Sequence, residues 1–247
     1  MIRKFLLFYF SVPFIFAQTE PVKDLHQNNP RVWALTNAMV HTEPGDSIKE
    51  AIIILRDGRI ENVGRYIKIP LDAFEVDMKG AHIYAGFIDG WLQIKQDEKV
   101  QSPDDHWNEK IRADYRAKDD LKLNGKALES LYSIGFTAAH VVPEKGIFKG
   151  KSDLVVLNDE MISVAKDITE IIEFKTSGWS DGGYPNSLLG VIAVIRQTLL
   201  DADWYQRSSD IFNKYPENNE PIALNHSLAE LARFKSQRLP FLFMTKE

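Results

Sequence analysis

Hydrophobic and polar positions along the chain fall into three textures. Residues 5–16, FLLFYFSVPFIF, are almost wholly apolar, follow Arg3 and Lys4, and lead into Ala17 and Gln18. A short apolar run behind two cations and before a small residue reads as a secretory signal peptide over 1–17, and it falls short of the ~20 residues that span a bilayer. Residues 18–30 form a polar linker. The expected protein is therefore exported, periplasmic or secreted, and free of the membrane once the leader is removed.

Residues 31–82 are dense in short β-type runs, among them RVWALTNAMV, AIIILR and RIENVG. Asp57-Gly58 separates the last two, and that dipeptide supplies the positive φ angles of a two-residue hairpin turn. A small antiparallel sheet of about five strands is predicted. Such a sheet needs a second layer to cover it.

From residue 83 strand-like and helical patterns alternate. YAGFIDGWLQI (84–94), GFTAAHVV (135–142), SDLVVLND (152–159) and PFLFM (240–244) read as strands. Leu121, Leu128, Leu131 and Ile134 recur at helical spacing, as do Leu188, Ile192, Ile195 and Leu199. Asn225 is placed to cap a third helix carrying Leu228, Leu231, Ala232 and Phe234. Alternation of this kind predicts parallel βα units, whose crossovers are right-handed. A closed eight-unit barrel takes ~250 residues, and only about 165 follow residue 82, enough for roughly four units. The predicted fold class is thus α/β: a small antiparallel β-sheet as a composite side domain (31–82), followed by an incomplete TIM-type (β/α) barrel (83–247). A parallel strand at 240–244 without a covering helix is expected to need a missing C-terminal barrel half or an oligomer partner. The polar stretch 97–120 reads as a solvated loop.

Composition closes several options. There is no cysteine, hence no disulfide, thiolate metal site, cysteine nucleophile or lipidated cysteine. Loss of Arg3 and Lys4 with the leader leaves 28 basic against 35 acidic residues, a formal charge of −7. No basic stripe is present, so nucleic acid is not an expected partner. The six histidines, His26, His41, His82, His106, His140 and His226, include no pair one, three or four residues apart, and neither HExxH nor GxSxG occurs.

The run TNAMV, AIIILRDGRIENVG, DMKGAHIYAGFID, covering residues 31–94, resembles the start of amidohydrolase-superfamily proteins, particularly the imidazolonepropionase-like branch. GFTAAHVVPEKGIFKGKSDLVVL and YPNSLLGVIAVIRQTLLDADWY look like an exported bacterial subgroup of the same superfamily. The resemblance implies hydrolysis of carbon–nitrogen bonds in amides or cyclic amides, with a divalent metal such as zinc held by His-x-His directly after G-F-I-D. Here those two positions are Trp91 and Gln93. An indole offers no lone pair and a neutral carboxamide is a poor zinc ligand. Met244 stands where a later strand carries another ligand histidine, and Lys246 where some relatives carry a carboxylated lysine. No catalytic residue, metal ligand or cofactor is assigned to this chain, and Asp89 is expected to brace backbone.

For ligand contact the first choice is the loop 178–187, GWSDGGYPNS, before the helix at 188. Trp179 and Tyr184 could stack on a ring, and Asn186 or Ser187 would cap the helix. His140, at the end of GFTAAHVV, is the one histidine expected at a barrel mouth, as a substrate contact or a hydrogen-bonded side chain. Three readings stay open: an amidohydrolase-type hydrolase inactive alone, a non-catalytic barrel module that binds a small amide ligand or a partner, and a truncated fragment that cannot fold alone.

Overall fold

The computed structural model describes residues 30–95, 102–158, 160–176 and 183–245. The leader, most of the linker, Trp179 and Lys246 lie outside the described residues. The chain divides into two compact units, one ending at Ala85 and one beginning at Gly86.

The first unit is built on a long strand, β1 (Val32–Glu43), paired antiparallel with β2 (Asp46–Arg56), which pairs in turn with β3 (Arg59–Gly64). Between β2 and β3, Asp57 and Gly58 both have positive φ, 49° and 75°, so the hairpin is the tight one its sequence predicts. β4 (Phe74–Asp77) and β5 (His82–Ile83) then pair with β1 in parallel. The sheet is therefore mixed, which corrects the antiparallel expectation. The reason is the connection 65–73, which carries the chain from β3 back across the sheet to the free edge of β1 instead of turning at once. Its Ile67, Ile69 and Ala73 pack on Val32, Ala34 and Ile54, while Ala38, Val40, Ala51 and Ile53 form a second cluster. Neighbouring Ile53 and Ile54 point to opposite faces, so both faces of the sheet are covered. After β4, Asp77 Oδ1 accepts from Lys79 N at 2.8 Å and from Asn37 Nδ2 at 3.1 Å. These bonds hold its carboxyl below the usual range.

In the second unit β6 (Phe87–Ile94) and β7 (Phe136–Pro143) are parallel, joined through α1 (Gly125–Ser133), which Asn124 caps by accepting from Ala127 N. Next come β8 (Phe148–Lys151), β9 (Asp153–Val156), β10 (Ser163–Ala165) and β11 (Glu170–Glu173). The long helix α2 (Leu188–Lys214), α3 (His226–Ser236) and β12 (Phe241–Met244) complete the order. One sheet runs β10-β9-β7-β6 and the other β12-β11-β8. Both β6/β7 and β11/β12 are parallel crossovers, but β9 and β8 run antiparallel to β7 and β11. Strict βα alternation thus fails between 144 and 169, where turns replace a helix.

Glycine permits that excursion. Gly146 and Gly150 have φ of 110° and 114°, and a Cβ would stand 2.7 Å from the Phe148 carbonyl and 2.4 Å from the Tyr115 carbonyl, respectively. The close approach lets the segment 108–116 lie against β8, with parallel bridges Ile111–Phe148 and Arg116–Lys151. The expectation of a solvated loop is corrected here: His106, Asn108, Ile111, Ala113 and Ala117 are all buried. Most of its charged side chains are half-buried, and Ile111, Ala113 and Ala117 fill the core. Ile111 and Ala113 join Phe148, Ile172, Val191, Val194, Ile195 and Leu231 in one cluster, and Ala117 joins Ile94, Leu128, Val141 and Val155 in another. Among the described residues no helix is long and apolar enough to cross a membrane.

Candidate functional site

The C-terminal end of β6 is fixed by alternation. Leu92 and Ile94 pack into the core, so Trp91 and Gln93 share the other face, half-buried and exposed respectively. Asp89 Oδ1 accepts from Trp91 N at 2.9 Å, bracing the strand beside a bulge. On β7, His140 has its ring 6.3 Å from Trp91, edge to face. Its Nδ1 lies 3.2 Å from the Gly90 carbonyl and its Nε2 2.8 Å from Ser152 Oγ. A carbonyl only accepts, so Nδ1 carries the proton and Nε2 accepts from the serine hydroxyl. Thr169 then donates to Ser152 Oγ from its own hydroxyl at 2.7 Å and its N–H at 3.2 Å.

A serine donating to a histidine invites comparison with a nucleophile and its base. Ser152 is fully buried, and the far nitrogen of His140 meets a backbone carbonyl where a carboxylate would orient it. The pair braces β6, β7 and the turn before β11. This end of the strand does not fit a hydrolytic zinc ion either: an indole, a carboxamide and an imidazole with both nitrogens engaged are the side chains on offer. Among the described residues no group of three or more His, Asp or Glu is placed to hold one metal ion.

A cleft at the start of α2 has different character. Ser187 caps the helix by accepting from Gly190 N at 3.2 Å, and the first turns present Ala193, Val194, Gln197, Thr198 and Asp201 along one side. These residues, with His106, Trp107 and Tyr184, line a cavity of about 330 Å³. Trp107 and Tyr184 are 70% and 55% exposed, large aromatic surfaces at the cavity wall. Asn108 ties the wall together: its Nδ2 donates to the Tyr184 carbonyl at 3.4 Å and its Oδ1 accepts from Lys110 N at 3.0 Å. Gln197 Nε2 donates to Asp201 Oδ1 at 2.7 Å. His106 is only 3% exposed, with Nδ1 accepting from Asn108 N at 3.1 Å. Burial pushes its imidazole below the usual value, against the pull of Asp201. A neutral imidazole with Nδ1 so engaged holds its proton on Nε2.

Of the residues predicted from sequence, Tyr184 lines this cavity, Asn186 is exposed beside it in the chain, Trp179 is outside the described residues, and His140 belongs to the strand-end cluster. His106, Trp107, Thr198 and Asp201 were not foreseen. His106 and Trp107 sit in a segment whose charges suggested solvent, and Thr198 and Asp201 occupy polar helix positions without a motif.

A third feature is the set of charges inside the second unit. Lys149 Nζ and Glu173 Oε2 pair at 2.7 Å, and Lys149 is 1% exposed. Asp167 accepts from Arg116 at 2.7 Å and from Arg233 at 2.8 Å, and Lys151 lies 3.3 Å from Glu230. Glu170 is wholly buried. These strand charges join β8, β11 and α3 to the segment before α1.

In fold the chain is similar to the crystal structure of an amidohydrolase from Thermotoga maritima MSB8, at 20% sequence identity and a TM-score of 0.70. The match covers 85% of this chain and 57% of that one, so the chain spans somewhat over half the length of the structure it matches. No family model and no curated protein matches it. Several small mixed sheets with few helices are consistent with an amidohydrolase-like fold.

Proposed function

We propose that the chain is an exported part of an amidohydrolase-type protein, akin to the imidazolonepropionase-like branch, that binds a small amide-type ring without itself supplying a hydrolytic metal site. Hydrolysis of carbon–nitrogen bonds, the activity the family likeness suggests, would then need metal ligands outside this chain. The observation that carries the reading is the end of β6, where Trp91 and Gln93 occupy the positions from which two imidazoles would converge. The strands of the second unit are read as part of a (β/α) barrel.

Ligand contact is assigned to Trp179, Tyr184 and Asn186 and to the cleft that Tyr184 lines, with His140 a separate contact at the strand ends. The aromatic walls suit a flat ring, and Gln197 and Thr198 suit its amide donors and acceptors. A further polypeptide is expected to cover the rest, from downstream βα segments or a partner chain. Leu189, Ile192, Leu200, Trp204 and Ile211 form an exposed apolar stripe along α2, and β12 is an edge strand with exposed Phe243.

The reading is tested by titrating the purified chain with five- and six-membered cyclic amides, following tryptophan fluorescence, and assaying hydrolysis with and without added zinc. Saturable binding weakened on the order of tenfold by Tyr184→Ala, with no turnover, is expected. Turnover of a cyclic amide by this chain with zinc would overturn it.

A further inference from the structure

The first unit holds a pair of histidines that no spacing in the sequence joins. His41 lies on β1 and His82 on β5, and the parallel register sets His82 opposite Met39, two residues before His41 on the same face. The two rings come together: His41 Nε2 is 3.0 Å from His82 Nδ1, with ring centroids 5.1 Å apart and planes inclined by 27°. Tyr84 stacks on the face of His41, with ring centroids 4.2 Å apart and planes within 6° of parallel, and its ring lies 6.4 Å from that of His82. Backbone bonds from Met39 N to Ala81 O at 2.9 Å and from Gly80 N to Asn37 O at 2.7 Å hold the second strand to the first. The donor atoms are thus carried by paired strands, and His82 is exposed.

From this geometry we infer a two-histidine chelate for a divalent transition metal, independent of the amidohydrolase-type reading. Across this contact one ring nitrogen donates to the other. Neutral imidazole nitrogens are good ligands for late first-row metals, and small rotations about χ2 would turn both lone pairs off the N···N line onto one ion. For such nitrogen donors Cu²⁺ binds more tightly than Ni²⁺ or Zn²⁺, so copper is the expected ion, with water in the remaining positions. Stacking on Tyr84 restricts the His41 ring, so less rotational freedom is lost when the ion binds.

The test uses untagged, metal-free protein titrated with Cu²⁺, Ni²⁺ and Zn²⁺, with electron paramagnetic resonance on the copper form. One equivalent of Cu²⁺, bound more tightly than Zn²⁺, is expected, with an axial signal split by two imidazole nitrogens. His82→Ala and His41→Phe, the latter keeping a ring over Tyr84 without a donor, should each weaken Cu²⁺ on the order of tenfold or more and reduce the splitting to one nitrogen. His226→Ala should change neither, and far-UV circular dichroism should show each variant folded. Copper binding of unchanged affinity in folded His82→Ala protein, or no binding by the wild type, overturns the site.

Discussion

Glu170 gives the protein a pH dependence opposite to that of a surface carboxylate. It is wholly buried on β11, its Oε1 accepts from Gly150 N at 3.2 Å, and its Oε2 has no hydrogen-bond partner among the described residues. Burial pushes the carboxyl well above its ordinary range; the Gly150 N–H and Lys151 oppose the shift, and Glu230 and Asp114 add to it. The folded protein therefore keeps a proton that the unfolded chain releases, and stability falls as pH rises from the ordinary carboxylate value through the folded one. One proton corresponds to about 1.4 kcal/mol per pH unit across that window. Glu170→Gln keeps an acceptor for Gly150 N and cannot ionise, so its stability lacks this slope. Near pH ~4.5 the two proteins should be close to equal, and above it the variant should gain about 1.4 kcal/mol per unit until the folded value is passed. With a urea slope of about 2–3 kcal/mol per molar, the midpoint difference should widen by roughly half a molar per pH unit. Urea is the right denaturant because it leaves ionic strength unchanged. Unfolding curves at about pH 5, 6 and 7, followed by circular dichroism, measure it. Parallel stability profiles for wild type and variant over that range would show that Glu170 is not a buried neutral acid.

Two further outcomes follow from the interior. Lys149→Met leaves the Glu173 carboxylate buried without its ammonium partner and should cost about 3–5 kcal/mol, whereas Lys149→Met combined with Glu173→Leu should recover most of that loss, both read from urea midpoints. Gly150→Ala places a methyl group 2.4 Å from the Tyr115 carbonyl and should cost well over the ~1 kcal/mol expected of Gly45→Ala, which has positive φ but nothing within 4 Å of the added carbon; thermal melts of the two variants separate clash from dihedral strain.

What the sequence discloses of this fold follows local rules. The Asp57-Gly58 hairpin, the caps at Ser187 and Asn225, and the strands ending at Ile94 and Pro143 are set by residues within a few positions of one another. β4 and β5 escaped a correct pairing because parallel addition to β1 depends on the route of the 65–73 connection. β8 and β11 escaped altogether, for a chemical reason. Their sequences, FKGK and EIIE, carry charges at alternate or flanking positions and look solvent-facing, yet every residue in both strands is buried. Pattern reading assigns a lysine or glutamate to water unless a partner is known, and the partner of Lys149 is 24 residues away on another strand.

The same reasoning explains what was hidden at the candidate sites. The cleft made from the segment before α1 and the flank of α2 joins side chains about 90 residues apart, His106 with Thr198, and no periodicity links them. His41 and His82 are 41 residues apart and meet only because β5 adds parallel to β1, so a search for fixed ligand spacing passes over them. The end of β6 is the contrasting case. There the spacing is two, alternation alone decides which side chains share a face, and the absence of paired imidazoles at 91 and 93 is legible before any fold is known. Local pattern therefore speaks to the end of β6, while the aromatic cleft and the histidine pair are products of topology. That division predicts where variation should be felt. Trp91→His with Gln93→His alters a face already built to point two side chains together, whereas the cleft changes with anything that moves the segment 102–120 against α2.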